Sequence, residues 1–420
     1  MSAAGGERNW ARNLAYGTSD IRFPTSIAEV QAIVAATSRL RVLGTRHCFS
    51  AIADSSDLLL SLRDLPSVLR IDRECRQVSV AGGVPYGRLC EALDGAGLAL
   101  HNLASLPHIS VAGAVVTATH GSGLGNRNLA APVAAMTLVD AGGALVSLRR
   151  GDALFDAAVV GLGCFGPVVA LTLDLEPAFA IAQEVHLDLP FASVVDQFDA
   201  IMGAAYSVSL FTTWTGEKID QIWIKRRPDR EPPLPSGFFG ASPAARAMHP
   251  VADIAPDACT AQLGAPGPWW DRLPHFQFKA TPSAGDELQA EYFVARADAV
   301  AALRAIDAMR EAIAPHLLVS EIRTVASDDF WMSPHYRRES VAIHFTLKPD
   351  WPAVRTLLPR IEAALAPFDA RPHWGKLFTM APARVRALYP RLPDFVDRLR
   401  QVDPRGKFRN AFIHRILFED

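Results

Sequence analysis

Between Ser105 and Gly123 the chain reads SLPHISVAGAVVTATHGSG, a stretch that few folds can use. Ala112, Gly113, Ala114 and Ala118 let another backbone or a ligand approach closely. Thr and Ser hydroxyls and glycine N–H groups add neutral donors without bulk. A tightly packed helix is the plain reading, yet the run is too rich in Gly, Ser, Thr and His for an ordinary core. Val42-Leu43-Gly44-Thr45-Arg46-His47-Cys48-Phe49-Ser50 has a similar texture. There a strand ends in glycine, and the loop offers N–H groups and hydroxyls to an anionic pyrophosphate. A loop histidine such as His47 is, by itself, more often a polar surface residue. Two such loops in one half of the chain point to a large anionic ligand.

With 420 residues, the chain exceeds what one core usually organises, so two domains are expected. Half the residues are hydrophobic and the net charge is −2, without a Lys/Arg run, which argues against nucleic acid or a polybasic membrane patch. No secretory signal and no membrane-length apolar run is read, and five scattered cysteines form neither a disulfide framework nor a zinc site. A cytoplasmic location and no metal are therefore expected.

Up to about residue 180, short strands alternate with short helices. Ser26 and Glu29 have capping-box spacing, strands are read at 41–43, 77–81 and 168–175, and a hairpin spans 136–148. Pro85 is placed in the first turn of a helix closed by Gly95 or Gly97. Further on, strands are expected at 221–225, 288–294 and 341–347, with helices at about 297–314 and 351–366. Residues 226–285, rich in Pro, Gly and aromatics, read as ordered but irregular. Gly161, Gly163 and Gly166 form a GxGxxG, but a helix precedes it and a strand follows, the reverse of the dinucleotide fingerprint. It reads as a helix-to-strand turn, which disfavours a nicotinamide dehydrogenase.

The first loop, the SLPHISVAG–THGSG run and Asp403 to Asn410 resemble the vanillyl-alcohol-oxidase type of FAD-binding flavoproteins. Within that group the chain is most similar to the aldonolactone and alditol oxidases. The likeness continues through 204–214, 266–276, 321–326 and 371–376, in that order. It implies an α+β fold: an FAD domain of residues 1–180, rejoined by 380–420, and a substrate domain of 181–379 built on an antiparallel sheet backed by helices. On residues alone, a C-terminal turn after the last helices remains an alternative for the tail.

The same resemblance implies FAD attached covalently through His47. It places Gly44, Thr45, Arg46, Cys48, Ser50, Ser105, Ser110, Gly113, Thr119, His120, Gly121, Val169 and His373 around the cofactor. Arg46 and Cys48 depart from the GxGHS pattern of the wider superfamily, and Arg cannot take positive φ as cheaply as glycine. Ser105, Gln289, Glu321, Arg323, His344, Thr346 and Lys376 are implied for a polyol site, with Lys376, Arg323 and His344 catalytic. Glu321 and Arg323 are two apart and share a strand face; on spacing alone a solvated pair is the better fit, since charged residues are mostly exposed. Lys376 is implied as partner of the reacting hydroxyl, its pKa lowered by Arg323, and Arg323 to stabilise charge on the reduced flavin. Ala104 is a small residue that would leave room for O₂, though Ala in a packed turn is equally ordinary.

The expected reaction oxidises the terminal alcohol of small alditols such as xylitol and sorbitol to the aldose, reducing O₂ to hydrogen peroxide, in a monomer. An aldonolactone oxidase and a non-catalytic sugar-binding protein of the same fold are the alternatives.

Overall fold

Alternating residues in the second half of the chain build one large antiparallel sheet. The computed structural model describes residues 7–235, 237–280 and 286–418. Neighbours in this sheet run Ala180–Pro190, Lys218–Arg226, Ser207–Thr212, Leu317–Val325, Ser340–Leu347 and Leu288–Ala295, with short strands at both edges. Helices Phe191–Met202, Ala299–Asp307 and Trp351–Leu365 cover one face. Tyr292, for example, donates to Glu362 on the last of these helices at 2.9 Å. Ile322 and Ile343 are fully buried on that side, each contributing about 1.5–3 kcal/mol of apolar burial. The period of two therefore sends residues 289, 291, 321, 323, 344 and 346 to the opposite face.

The first half holds a five-stranded antiparallel sheet, ordered Leu69–Asp72, Gln77–Ala81, Val168–Asp174, Val133–Val139 and Leu145–Arg149. Beside it, Ile21–Arg22, Leu59–Leu60 and Arg41–Val42 pair in parallel. The segment after helix Leu392–Val402 joins this half: Leu40 N–H donates to Lys407 O at 3.0 Å, and Arg41 Nη1 to Phe408 O at 2.6 Å. Asn410 Nδ2 donates to the carbonyls of Ala51 and Asp54, both at 2.8 Å.

Some local expectations need correction. The helix read over 297–314 is two, Ala299–Asp307 and Arg310–Ile313, interrupted at Met309 (φ −102°, ψ 8°). At the break Arg310 Nε donates to the Asp307 carbonyl at 3.3 Å, and the Arg310 guanidinium pairs with the Asp307 carboxylate. Pro85 is extended (ψ 147°) and caps helix Tyr86–Gly95 instead of entering its first turn. Glu29 accepts from Thr25 N at 2.8 Å, one residue before the expected Ser26, whose hydroxyl does accept from Glu29 N. Residues 226–235 and 237–280 are irregular, as read, with short turns such as Pro256–Ala258; 236 and 281–285 of that segment lie outside the described residues.

Candidate active site

A cavity of about 900 Å³ runs between the two halves, at the upper end of the roughly 300–1,000 Å³ usual for ligand sites. At one end it passes the two glycine-rich loops and at the other the polar face of the large sheet. Backbone N–H groups from Gly44 to Cys48 have no hydrogen-bond acceptor among the described residues. Arg46 has φ +67°, which bends these donors into a concave nest suited to an anion. The loop bears this left-handed residue because Arg46 O accepts from Trp10 N at 2.9 Å and its guanidinium pairs with Glu7. Cys48 replaces serine without adding a charge, since burial pushes its thiol up to about 11.

The glycines matter for space. A Cβ on Gly82 would sit 2.0 Å from Val168 O, on Gly83 2.3 Å from Leu62 O, and on Gly113 2.8 Å from Ser110 Oγ. Gly163 and Gly166 also line the cavity with φ of 71° and 114°. Their GxGxxG is a turn between helix Phe155–Val159 and strand Val168–Asp174, as its order requires, yet the turn still faces the ligand space.

His47 stacks on Trp10 with ring centroids 5.4 Å apart, and its Nδ1 lies 3.0 Å from Thr45 Oγ1. Burial, His108 and Lys376 push its pKa down to about 4, so at neutral pH the ring is uncharged and nucleophilic. Of the other residues expected near a cofactor, Gly44, Thr45, Arg46, Cys48, Ser105, Ser110, Gly113, Thr119, His120 and His373 are on the wall. Three are not. Ser50 donates to Trp374 O at 2.7 Å, Val169 packs with Val30 and Val34, and a Cβ on Gly121 would meet Leu103 O at 2.3 Å.

On the sheet, the expected substrate residues come together with several that spacing did not reveal. Glu291, His344 and Glu321 stand opposite one another on three neighbouring strands, and Gln289 opposes Thr346 in the next row. Arg323 donates through Nη2 to Glu291 Oε1 at 2.7 Å; the same oxygen lies 3.3 Å from His120 Nε2 and 3.6 Å from His344 Nδ1. Burial alone would raise the Glu291 pKa, but Arg323, His120 and His344 hold it well below the carboxylate range. Glu291 lies two residues from Gln289, so the same-face rule was the available signal. Glu321 accepts from His275 at 2.8 Å and lies 3.5 Å from Arg323 Nε; burial opposes its ionisation, and Arg323 and His275 restore it.

Lys376 contacts Gln289 Oε1, and Ser105 Oγ lies 3.4 Å from Arg323 Nη1. Burial first, and Arg323 among the charges, lowers the Lys376 pKa. Burial also lowers that of His344, leaving a neutral imidazole. The nitrogens of His120 and His373 and an oxygen of Glu291 approach within 4.8 Å, but Arg323 already balances that carboxylate.

These features fit FAD: unclaimed N–H donors on a loop, glycines where a side chain would intrude, and a cavity of about 900 Å³ that the polar sheet face also lines. The family described as FAD binding domain matches residues 19–149, and that of D-arabinono-1,4-lactone oxidase matches 285–416. Cholesterol oxidase from B. sterolicum superposes with a TM-score of 0.79 over 98% of this chain and 96% of its own, at 15% identity, a likeness of fold alone. The chain is an FAD-dependent oxidoreductase with the two-part fold of vanillyl-alcohol-oxidase-type flavoproteins. Alditol oxidase of Streptomyces sp. (strain IKD472 / FERM P-14339) is 46% identical over 412 residues, covering 97% of this chain and 98% of the relative. The chain belongs to the alditol oxidase family. L-gulono-1,4-lactone dehydrogenase of Mycobacterium tuberculosis (strain ATCC 25618 / H37Rv) is 27% identical over 427 residues, at 97% and 98% coverage. Among the described residues no helix is long and apolar enough to cross a membrane.

Proposed function

We propose that the protein oxidises the terminal primary alcohol of small alditols, xylitol and sorbitol foremost, to the aldose while O₂ becomes hydrogen peroxide. One observation carries this reading. Carboxylate, guanidinium, imidazole, amide and hydroxyl groups alternate over one sheet face within reach of a row of hydroxyls. A polyol both donates and accepts at each carbon, so such a mixed surface binds it better than a surface of one polarity.

Residues 1–180 with 380–420 would form the cofactor domain and 181–379 the substrate domain. The loop from Gly44 to Cys48, with Ser110 and Gly113, would hold FAD, and neutral His47 would carry the covalent bond. Bound FAD supplies the hydride acceptor. Glu321, Gln289 and Thr346 would bind the polyol hydroxyls, while Arg323 and Ser105 orient the reacting end. His344, uncharged and buried, or Lys376, with its lowered pKa, would take the hydroxyl proton. The small Ala104 on the cavity wall supports access of O₂. Free cysteines support a reducing, cytoplasmic setting, and we take the working unit to be a monomer.

The match of residues 285–416 to a lactone oxidase family favours one second reading, an aldonolactone oxidase. Turnover of xylitol against gulono-1,4-lactone separates the two, and a strong lactone preference sinks the alditol reading. For the linkage, yellow colour should survive acid precipitation of the wild type and be lost in His47→Ala.

A further inference from the structure

Lys225 is 1% exposed, on a strand one removed from Glu321's, and has no carboxylate hydrogen-bonded to it. Its ammonium instead donates to Leu273 O, to Pro274 O at 3.1 Å, and lies 3.1 Å from His275 Nδ1. Burial lowers the Lys225 pKa to about 7, and in the ammonium form it holds below that pH it has three protons and no lone pair, so all three neighbours must accept. The charged Lys225 on one side and the Glu321 carboxylate on the other select one form of His275: Nδ1 presents its lone pair and the proton sits on Nε2. Nε2 in turn is 2.8 Å from Glu321 Oε1. The opposite tautomer would set a lone pair against a carboxylate oxygen. Phe211 and Trp223 hold the ring edge-on, with centroids 5.5 and 5.1 Å away, so it has little freedom to turn.

We propose that Lys225 and His275 are positioning residues for the polyol site, locking one histidine tautomer so that its N–H holds Glu321 toward the substrate. Glu321 has a competing partner in Arg323, whose Nε lies 3.5 Å away. With His275 donating, one oxygen is anchored and the other stays available to a hydroxyl. Without it, the carboxylate can close on the guanidinium with both oxygens, which withdraws both groups from the substrate. A buried Lys–His–carboxylate series thus places an acceptor where one polyol hydroxyl must donate.

This inference rests on the alditol reading, and its test has one arm that does not. In holoenzyme labelled with ¹⁵N-histidine and held at about pH 6, where Lys225 is charged and the ring is not, the His275 ring, assigned through His275→Asn, should show the neutral Nε2–H tautomer. Lys225→Met should give a tautomer mixture and raise the xylitol KM by roughly tenfold, the effect of one charge-assisted hydrogen bond, with a smaller change in kcat. Added to His275→Asn, the same substitution should leave KM where it is. An imidazolium or Nδ1–H signal in the wild type overturns the proposal even if Lys225→Met does not fold. A wild-type KM in a folded Lys225→Met protein overturns it equally. If no alditol reduces the wild-type flavin while the ring signal is as expected, the alditol reading fails, and the role toward a hydroxyl falls with it.

Discussion

Arg323 reaches across the strand Ser340–Leu347 that separates it from Glu291 and meets the carboxylate at 2.7 Å. Glu291 is 1% exposed, and the pair joins His120, on the glycine-rich run, to His344 on the sheet. Glu291→Gln removes the charge but keeps the shape. Arg323 retains Glu321, so the expected loss is about 3 kcal/mol, the lower end for a broken buried pair, read as a fall in the urea midpoint. Anaerobic flavin reduction by xylitol should slow at least about tenfold as Arg323 and His344 lose their common anchor. An unchanged rate would remove Glu291 from the site.

The left-handed Arg46 gives a graded prediction. Arg46→Gly relieves backbone strain but loses the part-exposed pair with Glu7, so stability should stay within about 1 kcal/mol and flavin loading should persist. Arg46→Val, β-branched at φ +67°, should lose about 2 kcal/mol and load poorly. Thermal melts and flavin absorbance per mole of protein check both.

Gly83→Ala places a methyl 2.3 Å from Leu62 O, a backbone atom that cannot step aside. It is expected to cost about 3 kcal/mol and to sharply reduce the flavin-loaded fraction of purified protein. Loading equal to wild type would show that the cavity wall is softer than its geometry suggests.

Acid should unfold the protein through its buried imidazoles. Burial lowers His275 to about 4 and His373 to about 3, and holds His335 well below the ordinary value of 6.5. The unfolded chain therefore takes up protons first as pH falls, so the stability these residues lend is complete above pH 6.5 and drains toward pH 4. With three protons involved, the slope should approach about 4 kcal/mol per pH unit in urea titrations between those values. A flat profile would mean that the rings are charged in the fold.

The period-two pattern made the long strands legible, and with them the common face of Glu321 and Arg323. The two small-residue runs were legible as ligand-facing because side-chain size and donor type are local properties. Glu291 and His275 were not singled out: their importance lies in register between strands and loops tens of residues apart, which neither segment encodes alone. Ser50, Gly121 and Val169 show the converse. Their neighbours face the cavity, but the turn of the backbone gives Gly121 and Val169 to packing and the Ser50 hydroxyl to the Trp374 carbonyl. The break at Met309 was likewise hidden, because the apolar spacing of Val300, Leu303, Ile306 and Met309 continues through it.

Arg41 connects a strand near the start of the chain to Phe408, while Asn410 fastens the loop that follows His47. A ribosome releases those partners more than 350 residues apart. These contacts can therefore form only once synthesis has passed residue 410, so the closed wall is expected to be a late product of synthesis, and flavin capture later still. Chains interrupted before that point should accumulate colourless.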